Sequence, residues 1–205
     1  MQSGRFPERG NKMANTNIIL VGVGGQGILL ASEVMSEVFR RANFDVKKSE
    51  VHGMAQRGGV VSSHVRFGEK VYSPMIEEGD ADIMLSFELM EALRWEHYLK
   101  PNAFLATSNV RMVPPICNSG KVVYPEDTAE SLKKIRPEAH VLDIENALKE
   151  VGNSKVTNVI MLGVLSTILE IPEKNWLEVM KEAVPPKLVD VNIKAFAMGR
   201  KLMGN

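Results

Sequence analysis

Apolar and polar positions along this chain switch between two periods. Asn17 to Val23 is a short apolar run that breaks into glycine, which predicts a buried strand. Over 26–42 Leu30, Val34 and Val38 share one face with Ile28, Ala31 and Met35 beside it, which predicts an amphipathic helix. Phe44 to Val51 is a second strand, and the polar, glycine-rich stretch 52–59 is a loop. Val60 to Phe67 alternates apolar with polar, and Gly68-Glu69 leading into Lys70 to Tyr72 reads as a hairpin. "ADIMLSF" at 81–87 is a buried strand, followed by a helix at 88–99 with Glu88 at the positive end of its dipole. Pro101-Asn102 ends that helix and Ala103 to Thr107 is a strand. Lys121 to Tyr124 is short and β-like, a helical stretch runs from Pro125 to about Ile135, Ala139 to Asp143 is a strand, and Ile144 to Glu150 is a helix. The remainder is helical over 155–170, 173–183 and 187–203, punctuated by Pro172 and Pro185-Pro186.

Strands alternating with helices and closing on a helical tail predict an α/β fold: a three-layer α/β/α arrangement with a mixed, mostly parallel sheet and a helical C-terminal part. The hairpin around Gly68 is what makes the expected sheet mixed. Residues 1–14 read as a disordered extension in which Met13 is an alternative start, and 15–205 as a single domain.

Composition narrows the chemistry. Lys plus Arg and Asp plus Glu balance at 25 each, so no net field favours nucleic acid or an acidic membrane. Cys117 is the single cysteine, which excludes an internal disulfide, a four-cysteine iron–sulfur site and a structural zinc site. The four histidines have no paired spacing, so no metal site is expected. Val156 to Ile171 is interrupted by polar residues, short of the roughly 18 apolar residues of a membrane span. The first dozen residues lack the apolar core of a signal peptide, and the cytoplasm is the expected location.

Two stretches carry candidate chemistry. "GVGGQG" at 22–27 holds Gly22, Gly24, Gly25, Gln26 and Gly27 between a strand and a helix. Glycines there permit positive φ and close approach, and the first-turn N–H groups make an anion cradle. The Gly22-x-Gly24-x-x-Gly27 spacing is that of a dinucleotide turn, with Glu50, and Asp45 before it, roughly where a ribose-binding acid belongs. Three readings stay open: a tight packing turn, a phosphate or other anion site, and a full dinucleotide site. No Gly-Lys-Ser/Thr follows, so this is not a Walker loop. The second stretch, "HGMAQRGG" at 52–59, sets His52, Gln56 and Arg57 before Gly58 and Gly59. An arginine flanked by glycines suits bidentate contact with a carboxylate or phosphate, or an ordinary surface ion pair.

Taken with "ADIMLSFELMEALR" at 81–94, these two motifs resemble the gamma-type subunit or domain of the 2-oxoacid:ferredoxin oxidoreductases. The form "HGMAQRGG" resembles the small subunit of the indolepyruvate branch, and the resemblance runs from about Thr16 to Met203. It implies a subunit of an enzyme that oxidatively decarboxylates aryl 2-oxoacids, with coenzyme A as co-substrate and ferredoxin as electron acceptor. It further implies that thiamine diphosphate, magnesium and the iron–sulfur clusters belong to a larger catalytic partner and none to this chain alone. Gly79-Asp80-Ala81 with Asn109 is a decoy for the diphosphate motif, because alanine replaces its last glycine. No residue is assigned a catalytic role; Gly22, Gly24 to Gly27, His52 and Gln56 to Gly59 are expected to face the partner's active site. The competing readings are a stand-alone NAD- or FAD-binding oxidoreductase using the first loop, and a non-catalytic binding module.

Overall fold

The computed structural model describes residues 15–52, 59–113, 117 and 123–204; the expected extension 1–14 lies outside them. Strand β1 (Thr16–Val23) leads through the glycine loop into helix α1 (Ile28–Arg41), then β2 (Asp45–His52), β3 (Val60–Gly68) and β4 (Ala81–Ser86). Helix α2 (Leu89–Trp95), a 3-10 turn and β5 (Leu99–Ser108) follow, then α3 (Thr128–Ile135), β6 (His140–Leu142) and α4 (Ile144–Val151). Helices α5 (Thr157–Ser166), α6 (Glu173–Ala183) and α7 (Val189–Leu202) complete the described chain.

The strands form one six-stranded sheet in the order β2-β3-β1-β4-β5-β6. Strands β1, β4, β5 and β6 pair in parallel, whereas β3 runs antiparallel to both β1 and β2. The sheet is therefore mixed, as expected, but through a different contact. No strand forms at 70–72: Val71 is buried and its N–H donates to Asp45 Oδ2 at 3.0 Å, while Tyr72 points to solvent. Gly68 does not make a turn with positive φ. A Cβ there would run into Asn15, so its small size serves close approach.

The alternation along β1 splits two cores. Ile18 and Leu20 face α1, α4, α5, α6 and α7, and Phe39 of α1 stacks on Phe67 of β3 at 4.0 Å. Ile19 and Val21 face α2 and α3. Helix α5 is buried on every side, which only a helix apolar all round tolerates. It lies against α7 with Gly163 facing Gly199; a Cβ on either would meet the other helix's backbone at Phe196 or Ile160. The expected helix 88–99 stops at Trp95, and the chain enters β5 at Leu99. Pro101, with no N–H to give a ladder, sits where the β4–β5 register slips.

Candidate functional site

Strands β1, β2, β4 and β5 all point their carboxyl ends to the same edge of the sheet. Both candidate loops spring from that edge. Past Val23↔Val60, the β1–β3 ladder extends by one bond, Gly24 N–H to the Gly59 carbonyl at 2.9 Å. The two glycine stretches are thus adjacent, which their separation in sequence does not reveal. Gln56, Arg57 and Gly58 lie outside the described residues, and His52 closes the backbone of β2 opposite Val61.

Within the first loop Gly25 and Gly27 adopt φ of 104° and 77°, a region that only glycine enters without strain. Gln26 is committed inward: its Nε2 donates to the Phe87 carbonyl at 2.7 Å and its Oε1 accepts the Val23 N–H at 2.8 Å. Gly22 makes room for that amide, since a Cβ there would fall 2.6 Å from Gln26 Oε1.

This amide occupies a specific place. Strand β1 leads through α1 to one side of the sheet and β4 through α2 to the other, so the β1/β4 gap is the topological switch point. Doubly wound folds bind nucleotides in that crevice; here Gln26 bridges it. The acidic half of a dinucleotide site is also out of place. With β3 between them, β2 and β1 stand two strand spacings apart, about 10 Å. Glu50 accepts from Lys48 Nζ at 3.0 Å and the Ser32 hydroxyl at 3.2 Å. Asp45 lies at the opposite end of β2, where Lys47 and then the Val71 N–H hold its carboxyl down at about 2. The geometry does not favour the stand-alone dinucleotide reading.

The diphosphate-like motif fares no better. Asp80 precedes β4 and accepts from Asn17 Nδ2 at 2.8 Å, whereas Asn109 follows β5 and caps α4, accepting the Ile144 N–H at 3.0 Å. These residues sit at opposite edges of the sheet and cannot share a ligand. Among the described residues no three His, Cys, Asp or Glu gather for a metal ion. No helix among them is long and apolar enough to cross a membrane.

One cluster joins residues that lie far apart in the sequence. Glu88, 1% exposed, caps α2 by accepting the Glu91 N–H at 3.0 Å through Oε2. Its Oε1 accepts the Tyr124 hydroxyl at 2.6 Å and the Met112 N–H at 3.0 Å. Burial and then the bond to Glu88 push the Tyr124 phenol well above its usual range, while Arg111 lies 4.6 Å over its ring. One carboxylate therefore fastens the chain at 112 and 124 to the end of β4. The sequence places Glu88 at the dipole end of α2 but does not show that it caps the helix, and Tyr124, 36 residues on, gives no local signal.

The carboxyl edge also exposes apolar side chains: Leu29 after the loop, Val51 near the end of β2, and Val113 and Val123 beyond β5, the last 79% exposed. The module is thus doubly wound, with Gly24 joined to Gly59 and an apolar rim on its carboxyl edge. Solved structures share the fold. The gamma subunit of a keto/oxoacid ferredoxin oxidoreductase from Geobacter sulfurreducens superposes with a TM-score of 0.65 at 21% identity, covering 93% of this chain and 99% of that one. A 2-oxoglutarate:ferredoxin oxidoreductase from Magnetococcus marinus, with 2-oxoglutarate, coenzyme A and succinyl-CoA bound, gives 0.72 at 21%, covering 93% of this chain and 31% of that one. The chain belongs to the pyruvate ferredoxin/flavodoxin oxidoreductase family, whose pattern it matches over residues 17–202. It is 44% identical to the indolepyruvate oxidoreductase subunit IorB of Thermococcus kodakarensis, over 92% of this chain and 96% of that one. The IorB subunit of Archaeoglobus fulgidus is 37% identical over 89% and 92%.

Proposed function

We propose that this chain is the small subunit of a cytoplasmic indolepyruvate-type 2-oxoacid:ferredoxin oxidoreductase, inactive alone and working against a larger catalytic subunit. The observation that carries the reading is the 44% identity over nearly the whole length of a subunit named for indolepyruvate oxidation. The geometry supports it: both glycine loops and the exposed Val51, Val113 and Val123 share one edge, which suits docking on a partner. In this reading the partner holds thiamine diphosphate, magnesium and the iron–sulfur clusters. The assembled enzyme consumes an aryl 2-oxoacid and coenzyme A and passes electrons to ferredoxin. Gly24 to Gly27 and the stretch His52 to Gly59 form the surface that closes the partner's active site. Arg57 meets a carboxylate or phosphate there, and Gln26 braces the loop from behind.

The test is co-expression with the larger subunit under anaerobic conditions, followed by assay of indolepyruvate- and coenzyme A-dependent dye reduction. Activity only in the complex, and its reduction by Arg57→Ala with assembly intact, is the expected result. A chain that elutes alone and reduces dye with NAD would overturn the subunit role. Unchanged turnover in Arg57→Ala would remove Arg57 from the site.

A further inference from the structure

Arg111 follows β5 outside any helix or strand, yet its backbone is fixed on both sides. The Val110 carbonyl accepts the Leu89 N–H at 3.1 Å, and the Met112 N–H donates to Glu88 Oε1 at 3.0 Å. The side chain is fixed as well. Its Nη2 donates to the Pro125 carbonyl at 3.0 Å, and its guanidinium lies 4.6 Å over the Tyr124 ring. That ring is held in turn, because the Tyr124 hydroxyl donates to the buried Glu88 carboxylate at 2.6 Å. A buried acid thus sets the direction of an exposed cation through an aromatic ring. An arginine ordinarily gives up much rotamer freedom on binding; here the fold has removed it beforehand.

The charge so presented is unmatched. Arg40, Arg41, Arg94, Arg136 and Arg200 each pair with a carboxylate. Arg66 donates to Asn17 and to the Ser73 and Met75 carbonyls. Among the described residues no carboxylate pairs with Arg111, and Asp127, near it in the chain past Tyr124, accepts the Ser131 hydroxyl at 3.1 Å instead. Most of the Arg111 N–H donors are left over, in the planar fork that suits a carboxylate. The surroundings are apolar. Met112 and Val113, next in the chain, are 36% and 54% exposed, and Val123 beside Tyr124 is 79% exposed. An arginine stacked on tyrosine among apolar side chains has the composition of the energetic centre of a protein interface. A small anion would neutralise the arginine and leave the two valines in water, whereas a protein surface covers both.

We propose that Arg111 anchors the interface with the larger subunit by a two-bond contact to one Asp or Glu set in an apolar patch of that subunit. Met112, Val113 and Val123 pack around the pair and keep water from it. The inference rests on the subunit reading, which supplies the partner; it adds the residue that grips the partner and the chemistry it meets there.

The test is anaerobic binding of the full chain to the purified larger subunit, followed by interferometry, with turnover of the assembled enzyme measured alongside. Arg111→Ala should weaken the complex about thirtyfold or more, while the free chain melts within about 3 °C of wild type. Arg111→Lys keeps the charge without the fork and should fall between wild type and Arg111→Ala. Arg111→Glu sets two acids against each other and should bind most weakly of all. Affinity of Arg111→Ala within about threefold of wild type overturns the anchor, as does Arg111→Glu binding no worse than Arg111→Ala. Unchanged affinity with a raised KM for indolepyruvate or coenzyme A assigns Arg111 to a small ligand and overturns the proposal too. A wild-type chain that does not bind the larger subunit at all overturns the subunit reading itself, and this inference with it.

Discussion

The side chain of Gln26 ties the end of β1 to the end of β4, donating to the Phe87 carbonyl at 2.7 Å while accepting the Val23 N–H at 2.8 Å. The glycine loop is thereby held shut from within. Its outward surface consists of main chain.

Removing that amide tests this account. Gln26→Ala leaves one buried donor and one buried acceptor unpaired, a loss of about 2–3 kcal/mol. For a chain of this size that corresponds to a fall of roughly 5–10 °C in melting temperature. Gln26→Glu keeps the acceptor for Val23 but faces the Phe87 carbonyl with a carboxylate. Its stability relative to wild type should rise as pH falls and the acid regains a proton to donate. Thermal melts of the three proteins between pH 7 and 4.5 check both.

Gly163→Ala and Gly199→Ala carry opposite expectations from local and tertiary arguments. Alanine favours a helix over glycine by about 1 kcal/mol. Here the added methyl would meet the backbone of the facing helix, at Phe196 or Ile160, so α5 and α7 must part. The tertiary effect should win, with a net loss of about 1–2 kcal/mol per substitution. Urea unfolding midpoints lowered in both variants give the expected sign; raised midpoints contradict the packing.

Tyr124→Phe removes a hydroxyl donor from the Glu88 carboxylate and should cost about 1.5–3 kcal/mol. Glu88→Ala releases Met112 and the α2 cap as well and should cost more. Its distinguishing effect is local. Limited trypsin digestion should cut after Arg111 sooner in Glu88→Ala than in wild type, at denaturant concentrations where both remain folded.

His64 supplies a pH dependence. It is buried, its Nδ1 accepts the Ile76 N–H at 3.2 Å, and burial holds its pKa below the usual histidine value of 6.5. The unfolded chain therefore takes the proton more readily. The contribution of neutral His64 is complete above about pH 6.5 and diminishes as pH falls below it. His64→Asn keeps an acceptor near Ile76 without titrating, so it should flatten the fall in stability between pH 6.5 and 5. His140, on an exposed position of β6 but also held low by partial desolvation, contributes its own slope to both proteins alike. Chemical denaturation at stepped pH makes the comparison.

Much of this architecture is legible locally. The switch from period 2 to 3.6 places β1 and α1, and the glycines between them announce a turn that no other residue makes easily. Partners distant in sequence are not legible. Alternation in Val60 to Phe67 marks a half-buried strand, yet nothing in it says that both neighbours are β1 and β2 rather than the residues just after Gly68. Glu50 illustrates the consequence for the site: correct in spacing for a ribose contact, it is displaced by an intervening strand. Asn158 reads in the sequence only as a polar interruption of an apolar run, and the fold alone places its side chain against Gly27.

The insertion of β3 between β1 and β2 also dictates an order of assembly. A β1-α1-β2 unit with adjacent strands can close as soon as its residues exist. Here β1 and β2 share no bond, and each must wait for β3, which pairs with both along nearly its full length. A nascent chain that has emerged only through His52 has a helix and two strands with no edge to join them. Its first cooperative structure becomes possible when Gly68 is out of the ribosome, and until then the apolar strand β1 has no neighbour to pair with and remains the concern of chaperones.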